Sequence, residues 1–237
     1  MISLLTISEI EIEVERKKIK NMHLAVYPPD ARVHLSMPDY LTDDDVKAFI
    51  IQKWEWVRKQ REEVLAQPRQ TERQYVSGES HFLFGKRYEL LVEELPHYPN
   101  VIQMKGKKIY MLVKPDTTTE QRATIMREWY RAQLKNQLAT TIKRWAEKLG
   151  ETNYDWQVKQ MKTEWGSCVK SKRMLIFNLE LARVPIEYLE FVVVHEFCHF
   201  VIDNHNKLFE ALITKRLPNW RTLRKQLNDF IALPYKE

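Results

Sequence analysis

The sequence predicts an α+β fold in which a strand-rich first half is followed by a helix-rich second half. In the first half, "EIEIEVE" (9–15) alternates apolar and acidic residues with the period of a strand. In the second half, a long helical pattern runs from about Thr118 to Leu149 and stops at Gly150. We expect the seam near residue 115, which gives a strand-rich N-terminal subdomain (1–115) and a second subdomain (116–237).

The first half contains three hairpin signals and one helix. "MHLAVY" and "RVHLSM" flank the turn-forming "PPDA", and two further hairpins are predicted to turn at Gly85 and Gly106. Thr42 and Asp45 form an N-cap signature for a helix over 43–66. The polar stretch "QPRQTERQ" connects that helix to the later hairpins.

The second half continues with two strands and two helices. "WQVKQMKTEW" and "MLIFNLELA" (174–182) are predicted strands around the turn "SKR", and 174–182 is a candidate edge for an extended peptide. Pro185 is expected to open a helix that carries three histidines. Pro218 separates this region from a last helix over about 219–231.

Composition narrows the classes of protein to consider. The 237 residues are 44% hydrophobic and 30% charged, which is typical of a globular chain. No apolar run has the length of a membrane span, and the opening "MISLLTISEI" lacks the basic start of a secretion signal. Cys168 and Cys198 provide no disulfide framework, so a cytoplasmic location without membrane contact is expected. The net charge of +6 is only weak support for an anionic partner.

The stretch "HEFCHFVIDNH" (195–205) has the pattern of a zinc site. His195 and His199 are one helical turn apart, so both imidazoles lie on one face and can share an ion. Glu196 is rotated by roughly 100° from His195, where it can reach a bound water without being a ligand. This is the H-E-x-x-H arrangement of two zinc ligands and a general base.

A catalytic zinc site needs a third protein ligand, and His205 is the main candidate. His205 can reach the ion only if the helix ends first, and Asp203 and Asn204 are suited to that turn. The carboxylates of Glu210 or Asp203 are the alternative ligands. The histidine spacing also equals that of the metzincins, but Ile202 occupies their glycine position, so we do not assign that class.

Several motifs together resemble the YgjP-like metallopeptidases, relatives of the SprT/Spartan-like zincins. They are "WGSC", the "NLEL" strand, "VVHEFCHF" and "NHNKLF", with softer matches in "IIQKWEWVRKQ" and "SGESHFLFGKRYEL". The resemblance implies a zincin-like metallopeptidase domain in about 115–237. By position it makes His195, His199 and His205 the zinc ligands and Glu196 the catalytic base. Phe197 and Glu210 depart from the family pattern, and neither departure removes a required group.

The expected function is a zinc-dependent metallopeptidase that hydrolyses peptide bonds of a peptide or protein substrate through a zinc-bound water. Trp165 and Asn178 are candidate substrate-binding residues, and Asn178 and Tyr154 are candidates for stabilising the oxyanion. The other four histidines are expected to be ordinary surface or edge residues: His23, His34, His81 and His97.

Two other functions stay open at this point. One is a binding module with structural zinc, which would not need a base beside the metal. The other is a protease recruited to nucleic acid through the "RKKIK" run and basic residues of the long helix, namely Arg122, Arg127, Arg131, Lys135 and Lys143.

Overall fold

The computed structural model describes residues 2–27, 30–66, 73–161 and 164–230. They form two compact units that divide between Thr71 and Glu72. The predicted seam near 115 differs from this division and falls inside the second unit. The reason is that Met111, before that seam, and Leu134, after it, are buried in the same hydrophobic core.

The first unit is a four-stranded sheet with two helices. Its elements are β1 (Ile2–Ile7), β2 (Ile10–Lys17), β3 (His23–Tyr27), β4 (Arg32–Pro38), α1 (Asp43–Gln52) and α2 (Trp54–Ala66). The strand order is β1-β2-β4-β3, so two antiparallel hairpins join through the parallel pair β2 and β4. The alternation in 9–15 and the hairpin around "PPDA" are thus confirmed, with Pro28 and Pro29 of its turn outside the described residues.

The helix predicted over 43–66 is in fact two helices separated at Lys53. Its start is confirmed, because the Thr42 hydroxyl accepts from the Asp45 amide and the Asp45 carboxylate accepts from the Thr42 amide. The prediction of one helix was wrong because Ile50 and Val57, which share the unit's core, keep helical spacing across the break. Periodicity alone does not detect an interruption of one residue.

The second unit begins with another four-stranded sheet, made of β5 (Ser80–Leu83), β6 (Lys86–Glu94), β7 (Val101–Lys105) and β8 (Lys108–Val113). The order β5-β6-β8-β7 again joins two antiparallel hairpins through a parallel inner pair. The predicted turns at Gly85 and Gly106 are confirmed, with φ of 77° and 61°. The two units therefore use one sheet topology twice.

The long helix α3 (Thr119–Leu149) follows, and its predicted limits are confirmed. Thr118 caps its start, and Gly150 ends it in the left-handed conformation with φ of 70°. Its buried face repeats at helical spacing and consists of Met126, Tyr130, Leu134, Leu138, Thr141, Ile142, Trp145 and Ala146. This face forms much of the core against which the later elements pack.

A three-stranded sheet comes next, with β9 (Asp155–Lys159), β10 (Gly166–Val169) and β11 (Met174–Asn178). The predicted strand 174–182 ends at Asn178, and Leu179–Ala182 forms a 3-10 turn. The order is β10-β11-β9, so β11 is the central strand and the prediction that it offers a free edge was wrong. β10 is an edge strand, because in this sheet it pairs only with β11.

Three helices complete the unit: α4 (Ile186–His199), α5 (Lys207–Arg216) and α6 (Trp220–Phe230). Pro185 precedes α4 as predicted. The sequence analysis did not include α5, although Asn206 is a clear N-cap whose side chain accepts from the amides of Leu208 and Phe209. In the described part of the chain, no helix combines the length and apolar character needed to cross a membrane.

The start of α4 is braced by the turn between β5 and β6. The amides of Phe84 and Gly85 donate to the carbonyls of Ala182 and Arg183, at 2.8 and 3.0 Å. A Cβ atom on Gly85 would lie 2.7 Å from Cγ of Pro185. The turn therefore fits against Pro185 only because residue 85 has no side chain.

A buried polar cluster surrounds His81, which was expected to be an ordinary surface or edge residue. His81 is fully buried between the rings of Tyr75 and Tyr130, and its Nε2 lies 3.3 Å from a carboxylate oxygen of Glu79. Burial, reinforced by the charges of Arg73 and Arg183, lowers the pKa of His81 to about 3. The expectation for this histidine was wrong because alternate residues of β5 face the core, and His81 is one of them.

We predict that Gly85→Ala destabilises the protein more than Gly106→Ala does. Both glycines have positive φ, which costs an L-residue about 1–2 kcal/mol. Only at Gly85 does the new methyl group also collide with Pro185, which adds about 1–3 kcal/mol of overpacking. Urea unfolding of both variants measures the difference. Equal losses in the free energy of unfolding would contradict the close contact between Gly85 and Pro185.

We also predict that His81 makes the protein less stable in acid. Below the unfolded pKa of about 6.5 the unfolded chain binds a proton that the folded chain refuses, so stability falls between about pH 6.5 and pH 3. The His81→Gln variant should lose up to about 1.4 kcal/mol less per pH unit in this window. Urea unfolding from pH 7 to pH 4 tests this, with His97→Gln as the exposed control. If the free energy of unfolding changes with pH in the same way in the parent and in His81→Gln, this prediction is wrong.

Candidate metal centre

Three histidines point their Nε2 atoms at one place. The Nε2 atoms of His195 and His199 are 3.3 Å apart, those of His199 and His205 are 3.2 Å apart, and those of His205 and His195 are 2.9 Å apart. The structure thus brings together the three residues that the sequence analysis chose as ligands. They are the one group of this kind that could hold a metal ion within the described residues.

The donor set fits zinc. A tetrahedral zinc with Zn–N bonds of about 2.0–2.1 Å requires nitrogen atoms about 3.3–3.4 Å apart, close to the separations here. Burial and the neighbouring imidazoles His199 and His205 lower the pKa of His195 to about 3, which favours the neutral ring that binds metals. Three imidazoles leave a fourth position open for a reactant.

The helix ends early enough to deliver the third histidine. α4 stops at His199, and the amides of Val201 and Ile202 both donate to the carbonyl of Cys198. The chain then turns, and His205 lies in the short loop before α5. The predicted turn exists, but its cause differs from the expectation, because Asp203 and Asn204 do not adopt the left-handed conformation.

Hydrogen bonds and ion pairs orient the ligand side chains and their loop. Nδ1 of His199 lies 3.0 Å from the carbonyl oxygen of Ile202. A carbonyl can only accept, so Nδ1 carries the proton and the lone pair is on Nε2, where a metal needs it. Lys170, which follows β10, holds the loop by contacts to Asp203 at 3.0 Å and to the carbonyl of Val201 at 3.3 Å.

Phe209 packs against all three histidines and was missed by the sequence analysis. Its ring centroid lies 5.0 Å from that of His195 and 4.7 Å from those of His199 and His205. The side chain is almost fully buried in the core. An apolar ring here limits the orientations of the imidazoles. The signal in the sequence was the capped helix at Asn206, which places Phe209 on the first turn of α5.

Glu196 lies beside the ligand pair and is buried, with 3% of its surface exposed. One of its carboxylate oxygens is buried and has no hydrogen-bond partner among the described residues. Burial, together with the charge of Glu164, raises the pKa of Glu196 to about 8. A nearby cation favours the ionised form, so this carboxyl group is suited to exchanging a proton near neutral pH.

The alternative third ligands are engaged elsewhere. The Glu210 carboxylate accepts from Arg221 at 2.8 Å, and Asp203 pairs with Lys170. Neither belongs to the histidine group. The geometry therefore favours His205 over both carboxylates as the third ligand.

Asn178 is in the wrong environment for substrate contact. It is fully buried, its side-chain NH₂ donates to the carbonyls of Met161 and Glu164, and its oxygen accepts from the Glu180 amide. All of its polar groups are engaged, and its NH₂ group holds the chain before β10. We correct its predicted role to a structural one, which its place at the end of β11 did not reveal.

Tyr154 is also poorly placed for the oxyanion. Its ring makes an edge-on contact with Phe197, at a centroid distance of 5.6 Å. Phe197 is two residues after His195, or roughly 200° around the helix, so this contact is on the side of α4 opposite the ligand pair. Trp165, by contrast, is half-buried and directly precedes β10, and its carbonyl accepts from the Asn178 amide at 2.9 Å.

Two observations concern the basic residues. Burial is the main cause of the lowered pKa of His195 and His205, and the charge of Arg224, on α6, which was not singled out, contributes to it. On α3, Arg122 pairs with Glu94 and Arg131 pairs with Glu128. These internal contacts reduce the positive charge that α3 could offer to nucleic acid.

Comparison with curated proteins and solved structures gives limited similarity. No curated protein matches the chain. The solved structures that are similar in part include the following two. One is the metallopeptidase zymogen of Pyrococcus abyssi abylysin, with 11% identity over 42% of this chain and 99% of that one and a TM-score of 0.37. The other is the metallopeptidase zymogen of Methanocaldococcus jannaschii jannalysin, with 20% identity over 40% and 97% and a TM-score of 0.35.

The comparison with protein families covers much more of the chain. The family described as YgjP-like, metallopeptidase domain, matches residues 20–230, which include most of the first compact unit, the described part of the second and the whole histidine site. The protein therefore belongs to the YgjP-like metallopeptidase family.

Proposed function

We propose that the protein is a zinc-dependent peptidase in which His195, His199 and His205 hold the ion and Glu196 is the general base. The observation that carries the proposal is the convergence of three Nε2 atoms within 3.3 Å of one another, next to a buried carboxylate on the same helix. Membership of a metallopeptidase family supports the reaction class.

The residues divide the reaction between them. When bound, zinc supplies a Lewis acid that polarises a carbonyl oxygen and lowers the pKa of water. Glu196 accepts the proton of the attacking water on a carboxylate oxygen and then donates it to the nitrogen of the leaving amine. The raised pKa of Glu196 helps the first transfer, because a weaker acid than an ordinary glutamate is a better base.

We propose that the substrate binds as an extended strand along β10. Among the described strands β10 pairs with β11 alone, which leaves its other edge open, and Gly166 at its start touches Glu196, so a peptide added there would run past the base. Trp165 stays a candidate for substrate contact, because its half-buried ring directly precedes this edge. Asn178 and β11 are not part of this surface.

A purely structural zinc site is a weaker explanation. Such a site has no use for a buried carboxylate beside the ligands, and burying Glu196 without a function is costly. Recruitment to nucleic acid is not adopted as a second function, because Arg122 and Arg131 are engaged within the protein.

The first prediction from this proposal concerns the metal. Protein purified without added metal should contain one zinc per chain by elemental analysis. His205→Ala should weaken zinc binding by more than about 100-fold, because losing even a hydrogen bond to a ligand costs about 10- to 100-fold. His97→Ala, an exposed histidine outside the site, should leave the affinity unchanged. Undiminished zinc affinity in His205→Ala would mean that the third ligand is a different residue.

The second prediction separates catalysis from metal binding. Glu196→Gln keeps the shape of the side chain and removes the base, so it should retain zinc and lose about 10²–10⁴-fold in the rate of peptide cleavage. Cleavage of a quenched fluorescent peptide mixture measures the rate. Glu187→Gln, an exposed change on the same helix, is the control and should keep full activity. Unchanged turnover in Glu196→Gln would rule out Glu196 as the base.

A further inference from the structure

The Glu196 side chain lies so close to Gly166 that any other residue at position 166 would collide with it. A Cβ atom built on Gly166 would lie 2.5 Å from a carboxylate oxygen of Glu196 and 2.9 Å from its Cγ and Cδ. Distances under 3.0 Å are essentially never seen for real Cβ atoms. The glutamate side chain thus fills the space that a side chain at position 166 would need.

Backbone conformation does not explain this glycine. Gly85, Gly106 and two other glycines have positive φ, but Gly166 does not. Any residue could adopt the backbone of Gly166, which pairs with Phe177 as an ordinary strand residue. The requirement for glycine comes from the close approach alone.

The backbones on both sides of this contact are held in place. β10 is held on its other side by β11, whose Phe177 is fully buried, and the chain before β10 is held by the Asn178 side chain. Glu196 is on a helix that is buried on several faces, through Phe191, Val193 and Phe197. An added methyl group would therefore displace the Glu196 carboxylate, which is the softest part of the contact.

We propose that Gly166 is a positioning residue for the general base. Its missing side chain lets the Glu196 carboxylate rest directly on β10, with one oxygen against the glycine and the other buried and unpartnered among the described residues. This inference rests on the proposed function, because it assigns Glu196 the role of base.

The contact itself can be tested without any activity. Overpacking by Gly166→Ala should lower the melting temperature by on the order of 5 °C. Glu196→Ala removes all three contacting atoms, so adding Gly166→Ala to that variant should cause almost no further loss. An equal loss in both backgrounds would overturn the proposal. If Gly166→Ala fails to fold, folding of the double variant with bound zinc supports the proposal, and failure of both overturns it.

Activity measurements then test the positioning. Gly166→Ala should keep its zinc and its KM for the fluorescent peptide mixture, while kcat falls by about 10²-fold, as expected for a shift of about 1 Å in a reacting group. Ser171→Ala, an exposed change in the turn after β10, is the control and should keep its kcat. Glu196→Asp shortens the side chain and should cost less in the Gly166→Ala background than in the parent. Equal costs, or an unchanged kcat in Gly166→Ala, would overturn the positioning role.

The experiments can contradict the peptidase function and the role of Gly166 separately. If the parent cleaves no peptide but the melting temperatures show the coupling, the contact stands and the peptidase function fails. If the parent is active and the coupling is absent, the peptidase function stands and the role of Gly166 fails.

Discussion

The site depends on burial of α4 within the second unit. Leu189, Phe191–Val194 and Phe197 are almost completely enclosed, so the helix has no freedom to turn about its axis. A helix fixed in this way holds His195, Glu196 and His199 at constant angles to one another. β10 lies against it, the hairpin turn at Gly85 braces its start, and Phe209 packs on its histidines. Packing of the core therefore sets the geometry of this site.

The sequence was sufficient to predict the features that depend on residues close together along the chain. Alternation predicted β2, capping residues predicted the starts of α1 and α3, and glycines predicted two hairpin turns, all of which the structure confirms. The ligand set was also predictable, because helical spacing fixes His195 and His199 and only a chain reversal could bring in His205. These features require nothing beyond neighbouring residues and the geometry of one element.

Features that depend on distant partners could not be predicted. The parallel pairing of β9 with β11 makes β11 a central strand, and no pattern within β11 records this. Burial of Asn178 and the contact of Tyr154 with the far side of α4 likewise follow from tertiary packing. The closeness of Gly166 to Glu196 joins residues 30 positions apart, so the glycine in "WGSC" could be noticed but not explained.

The three imidazoles are held with unequal firmness. Two are on the buried helix, while the third is on an exposed loop that Lys170 holds through partly exposed contacts to Asp203 and Val201. Exposed ion pairs of this kind contribute little free energy, so the loop can open at far lower cost than the helix can move. The proposed ion would therefore exchange more readily through movement of the loop (200–206) that carries His205 than through movement of the helix.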